Sequence, residues 1–194
     1  MPIVNVMKEK ELKNAYIGEV YEYSYDFRNK TLAQIQADGF SVWEWTTKFS
    51  SNWIWCNTTN RIIVNKSFPS LANANKITIT QTSIVSNWSC AIALNWTWRS
   101  YTTRIYLDSS QNHQQLYIWW TYYMYSWLSA WTYTQTGVFD LVNKTATLSC
   151  TWKSDHTETI TDTEVSNIRN YLNNIEVYVS NNANYISTFS ITVE

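Results

Sequence analysis

Eight aromatic side chains crowd the fifteen residues that end at Tyr133: Trp119, Trp120, Tyr122, Tyr123, Tyr125, Trp127, Trp131 and Tyr133. Aromatic faces stack on the apolar faces of sugar rings, and Tyr and Trp also anchor protein interfaces. In a strand, neighbours point to opposite faces, so Trp119-Trp120 and Tyr122-Tyr123 cannot all enter one core. Trp119, Trp120, Tyr122, Tyr123, Trp127 and Trp131 are therefore the candidate contact residues, toward a sugar or another subunit. The bland alternative is that a large core and its framing loops absorb them.

Reactive groups are sparse. His113 and His156 are the only imidazoles, and both fall in polar stretches that read as loops. Cys56, Cys90 and Cys150 are widely spaced and odd in number, so they read as buried apolar residues rather than a disulfide framework or a metal site. Asp155 and Asp162 flank a loop where calcium could join backbone carbonyls, but no repeat of oxygen ligands supports it. No cofactor and no metal are expected. Glycoside hydrolysis needs two carboxylates roughly 5 to 9 Å apart. Glu44 stands alone between Trp43 and Trp45, and Glu22 and Asp26 read as solvated alternation on one strand face. No catalytic residue is assigned, and the chain is not expected to be an enzyme.

The elements that must carry these residues are clearest near the C-terminus. Val138 to Val142 and Ala146 to Trp152 read as two antiparallel strands joined by Asn143, Lys144 and Thr145, with Ala146, Leu148, Cys150 and Trp152 sharing one face. Lys153 to Thr159 reads as a loop. Thr161 with Glu164 has the spacing of a capping box, and Val165, Ile168 and Leu172 form an apolar stripe on the helix that follows. Ile175, Val177 and Val179 mark a strand, Asn181 to Asn184 a turn, and Tyr185 to Val193 a closing strand. On that last strand Ser187, Phe189 and Ile191 are expected opposite Ile186, Thr188 and Ser190. Upstream, Tyr21, Tyr23, Tyr25 and Phe27 share one face of a first strand, and Thr31 with Gln34 repeats the cap before a two-turn helix stopped at Gly39. Two W-x-W pairs, Trp43 with Trp45 and Trp53 with Trp55, follow. Further strands are expected at Arg61 to Val64, Lys76 to Gln81, Cys90 to Trp98, Arg104 to Leu107 and Leu116 to Tyr125, giving about ten strands and two short helices.

A chain of 194 residues suits one such domain. Hydrophobic residues make up 45% but charged residues only 15%, so Asn, Thr, Ser and Gln must carry the surface. A surface of that kind suits packing against neighbours, and a homo-oligomer is expected. Net charge of −1 without a basic cluster removes the electrostatic basis of nucleic-acid binding. No run approaches the ~20 apolar residues of a membrane helix, and no secretory signal opens the chain. The six N-x-Ser/Thr triplets, at Asn29, Asn57, Asn65, Asn87, Asn95 and Asn143, read as accidents of an Asn- and Thr-rich composition.

The order of strand, Val-Asn-Lys-Thr turn, strand, Thr-Asp-Thr-Glu helix and two closing strands resembles the C-terminal half of concanavalin-A-like and laminin-G-like jelly rolls. Ala15 to Glu19 and Tyr25 to Thr31 resemble the starts of tailed-phage virion proteins. The resemblance implies an antiparallel jelly-roll β-sandwich over residues 17–194, preceded by an attachment segment, residues 1–16, in which Ile3, Val4, Val6 and Leu12 would dock on other virion proteins. It also implies a place on the virion and a binding face for a host-surface glycan. The alternatives are a structural capsid, collar or tail subunit without ligand, and a jelly-roll glycoside hydrolase.

Overall fold

The structure, a computed structural model, describes residues 20–28, 30–43, 47–49, 54–56, 61–67, 70–85, 89–95, 102–108, 113–119, 121–126, 131–180 and 185–194. Among them are fifteen strands and two helices arranged as two stacked antiparallel sheets. The eight-stranded sheet runs β13 (His156–Thr159), β12 (Thr145–Cys150), β11 (Trp131–Asp140), β6 (Lys76–Val85), β15 (Tyr185–Val193), β4 (Ile54–Cys56) and β3 (Thr47–Phe49), and β1 (Tyr21–Asp26) also pairs with β15. The seven-stranded sheet runs β10 (Thr121–Ser126), β9 (His113–Ile118), β8 (Thr102–Asp108), β7 (Ser89–Asn95), β14 (Asn174–Ser180), β5 (Arg61–Ser67) and β2 (Ser41–Trp43). This is the expected all-β jelly-roll sandwich with two short helices, α1 (Leu32–Ala37) and α2 (Asp162–Tyr171).

Two-residue periodicity builds the core. Ile77 and Ile79, Phe139, and Ala146 and Leu148 face inward from the larger sheet, against Ile92 and Leu94, Ile105 and Leu107, Leu116, and Ile175 and Val177 from the smaller one. At one end Tyr25 packs edge-on against Phe27 and Phe40, each 4.8 Å away between ring centres, while its hydroxyl donates to Asp38 Oδ2 at 2.6 Å. Both helices start on the capping boxes read from the sequence, at Thr31 with Gln34 and Thr161 with Glu164. Gly39, at φ 88°, follows α1 in the left-handed conformation.

Several boundaries differ from the sequence reading, each for a local reason. The aromatic run Leu116 to Tyr125 is not one strand: Ile118 pairs with Thr121, so β9 and β10 form a hairpin with two residues between. Trp119, in that turn at φ 57°, is buried against Tyr171 of α2 at 5.8 Å, a contact that offsets the unfavourable backbone. Trp152 does not face inward with Cys150, because β12 has ended and the chain turns at φ 64°, leaving the indole 85% exposed. The supposed loop after it contains β13. In β15 a bulge between Ile186 and Thr188 changes the alternation, so Ile186 is buried alongside Phe189 instead of opposite it. The count rises from about ten strands to fifteen because several long readings resolve into separate short strands.

Ile3, Val4, Val6, Leu12, Glu44, Trp45, Trp53, Trp120, Trp127 and the Asn181 to Asn184 turn lie outside the described residues.

Candidate functional site

The two sheets present opposite chemistries to the outside. The outer face of the larger sheet is a carpet of hydroxyls, with Thr80 to Thr136 at 3.1 Å, Thr82 to Thr134 at 3.2 Å and Thr147 to Thr157 at 2.9 Å across strands. β-branched Thr suits a half-buried pleated face and meets the demand for an uncharged polar surface. The outer face of the smaller sheet is where aromatic and charged groups converge.

Register places them. Ala91 of β7 pairs with Tyr106 of β8 and with Tyr178 of β14, while Arg104 pairs with Tyr117 of β9, and Tyr117 pairs with Tyr122 of β10. Because Ala91 carries only a methyl group, Tyr106 and Tyr178 lean over it and stack at 6.1 Å with 28° between planes. Tyr106 meets Tyr117 edge-on at 6.3 Å, and Tyr117 stacks on Tyr122 at 5.5 Å. Four rings thus form one ladder across five strands, roughly 19 Å at the usual spacing between strands. The ladder is half-buried at Tyr178, Tyr106 and Tyr117 and opens at the β10 edge, where Tyr122 and Met124 are each more than half exposed.

Polar groups interleave with the rings. The Arg104 guanidinium lies 3.7 Å from the centre of Tyr117 and 4.9 Å from that of Tyr106, and its Nε is buried without a hydrogen-bond partner. Gln115, on β9 beside Tyr106, is 6% exposed; its amide nitrogen meets His113 Nε2 and its Oε1 is buried and unpartnered. Asn95 donates to Glu176 Oε2 at 2.6 Å, which explains how an acid sits buried on a sheet face. From beneath, Gln81 donates to Gln135 at 2.8 Å and Gln135 donates to the Tyr106 carbonyl at 3.2 Å, tying the ladder strand to the opposite sheet.

The candidate residues scatter. Tyr122 lies on the ladder. Tyr123 points to the other side of β10, against the core, and Trp119 is buried against α2. Trp131 begins β11. Tyr106, Tyr117 and Tyr178 were missed, because one tyrosine per strand on three strands has no local density to notice; the Arg104-x-Tyr106 alternation on one strand face was the available signal.

Neither histidine is a loop residue. His113 begins β9 and is buried, and His156 begins β13, stacked on Tyr125 at 3.9 Å with planes within 3°. Tyr125 donates to Glu158 Oε1 at 2.7 Å, and burial with that carboxylate raises its phenol well above the ordinary range. Burial and the Glu158 and Glu164 carboxylates raise Tyr123 as well. This cluster joins β10 to β13. Cys90 and Cys150 are buried free thiols, the latter pushed up to about 11 by burial.

Beside the ladder, Glu176 lies in the same row as Arg104 but two strands from it, held by Asn95. Among the described residues no three His, Cys, Asp or Glu side chains gather as a metal site requires. Asp162 instead pairs with Lys144 at 2.6 Å.

The fold is a concanavalin-A-like antiparallel jelly roll, shared with solved lectins. The winged bean acidic lectin, solved with methyl-α-D-galactose, superposes with a TM-score of 0.60 at 9% identity over 91% of this chain and 99% of that one. The CBM2 module of the evolved Dit of Lactobacillus casei BL23 phage J-1 superposes with a TM-score of 0.53 at 10% identity over 93% of this chain and 92% of that one. A sialidase matches at 0.57 and 8% identity over 89% of this chain, which spans only 18% of that protein. No family model and no curated protein sequence matches the chain.

Proposed function

We propose that this protein is a glycan-binding β-sandwich without catalytic activity, carried on a phage particle and holding an extended sugar chain along the tyrosine ladder of its smaller sheet. The observation that carries the reading is the ladder itself, four rings in contact across five strands with Arg104 and Gln115 beside them. Such a row offers successive apolar faces for sugar rings and polar edges for their hydroxyls. The likeness to a phage Dit module supports the virion setting, and residues 1–16 would be the segment that attaches the domain to other virion proteins. Many copies on one particle, as a homo-oligomer or an array, would turn individually weak contacts into useful avidity.

Glycan-array screening followed by calorimetry tests this. Tyr106→Ala and Tyr117→Ala should each weaken the bound glycan at least about tenfold while the fold persists. Binding to no glycan would remove the reading and leave a structural subunit whose aromatics meet protein. Release of reducing sugar from a bound polymer would replace it with a hydrolase.

A further inference from the structure

Resting on that glycan reading, we infer that the ligand is anionic, its carboxylate or phosphate seated on Arg104. Four other cations among the described residues have carboxylate partners, Arg28 with Asp26, Lys30 with Asp38, Lys76 with Glu194 and Lys144 with Asp162, and Arg169 donates to the Ala74 carbonyl. Arg104 has none, although it lies on a sheet face beside two aromatic rings rather than free in solvent. Glu176, the acid in its own row, sits two strands away, about 10 Å across the sheet, and already accepts from Asn95. The guanidinium is thus partly desolvated and without a counter-charge, a costly state that a bound anion would relieve.

Geometry narrows the ligand further. Stacking on Tyr117 and Tyr106 fixes the guanidinium plane, so the side-chain entropy of forming a bidentate contact is already lost in the free protein. Gln115 contributes the complementary group: its buried Oε1 has no donor, and it lies diagonally across from Arg104 in the block made with Tyr106 and Tyr117. An anionic sugar satisfies both, its charged group accepting from Arg104 and a hydroxyl donating to Gln115. A neutral sugar fills the rings and the acceptor but leaves the cation unpaired.

The test compares the full chain on three polymers: a polyuronate, a polyglycerol phosphate and a neutral polysaccharide, each at about 20 mM and about 500 mM salt. The anionic polymers should bind at least about tenfold tighter than the neutral one at low salt, with the advantage shrinking at high salt. A preference for the polyuronate or for the polyglycerol phosphate tells which anion is read. Arg104→Gln should abolish the discrimination while residual neutral binding remains, and Arg104→Lys, which keeps charge without the planar fork, should restore only part of it. The salt dependence of the unaltered protein stands even if a variant fails to fold. Equal affinity for neutral and anionic polymers, or an Arg104→Gln variant that discriminates as before, overturns this inference and leaves glycan binding standing. No binding to any of the three, on top of an empty array, overturns both.

Discussion

Tyr106 and Tyr178 stack at 6.1 Å over Ala91, the residue that pairs with both of them in the sheet. The contact exists because the middle strand puts nothing larger than a methyl group between them. Ala91→Leu should wedge the rings apart, costing about 1 to 3 kcal/mol of stability by overpacking and lowering glycan affinity. Denaturant unfolding with calorimetry checks it; undiminished affinity would mean that an intact ladder is not what holds the ligand.

Gly137 marks the opposite side of the same arrangement. A Cβ built there would meet the Ile105 side-chain methyl and lie 3.2 Å from the Phe139 ring, so the sheets could not keep their spacing. Gly137→Ala should destabilise by about 1 to 3 kcal/mol. Thermal unfolding would show it, and a shift in melting temperature too small to measure would mean that Ile105 repacks freely.

Helix α2 depends on its reciprocal cap, in which Thr161 accepts from the Glu164 amide at 3.2 Å and Glu164 accepts from the Thr161 amide at 2.9 Å. Thr161→Ala should cost about 1 kcal/mol. Since Tyr171 of that helix covers Trp119, the same variant should also raise the exposure of Trp119, read as a red shift and increased quenching of tryptophan emission.

Stability should fall at alkaline pH. Both Cys150, raised from 9.0 to about 11, and Tyr125, raised above its ordinary 10.0, keep their protons in the folded state longer than in the unfolded one. Their contribution is complete below the unfolded values and is lost as pH rises from about 9, through Cys150 first and Tyr125 later. Denaturation midpoints between pH 8 and 11 measure the loss. Tyr125→Phe should keep the early part and flatten the later one; an unchanged alkaline limb would exclude Tyr125.

Trp152 holds a left-handed backbone with 85% of its surface in solvent, so its side chain brings little burial to offset the strain. Trp152→Gly should leave stability unchanged or raise it by up to about 1 kcal/mol. A clear loss of stability in chemical denaturation would show that the indole packs on something.

Much of this architecture was legible in one dimension. Alternation in Tyr21 to Phe27, Ala146 to Cys150 and Ile175 to Val179 identified buried strands, and Thr-x-x-Gln and Thr-x-x-Glu located both helix starts, because caps and pleats are set by residues within four positions of one another. The hairpin at Trp119 was not legible, since two consecutive tryptophans carry no turn signature. Nor was the exposed turn at Trp152, where an apolar residue continues the strand pattern past the strand's end.

The amino-acid order alone determined the sandwich class, the inward face of most strands and an excess of aromatic surface over what one core needs. Only the tertiary structure decided which aromatics act together. Tyr106, Tyr117, Tyr122 and Tyr178 become neighbours through strand register, which joins residues up to 72 positions apart and is fixed by hydrogen bonds between strands that no local pattern contains.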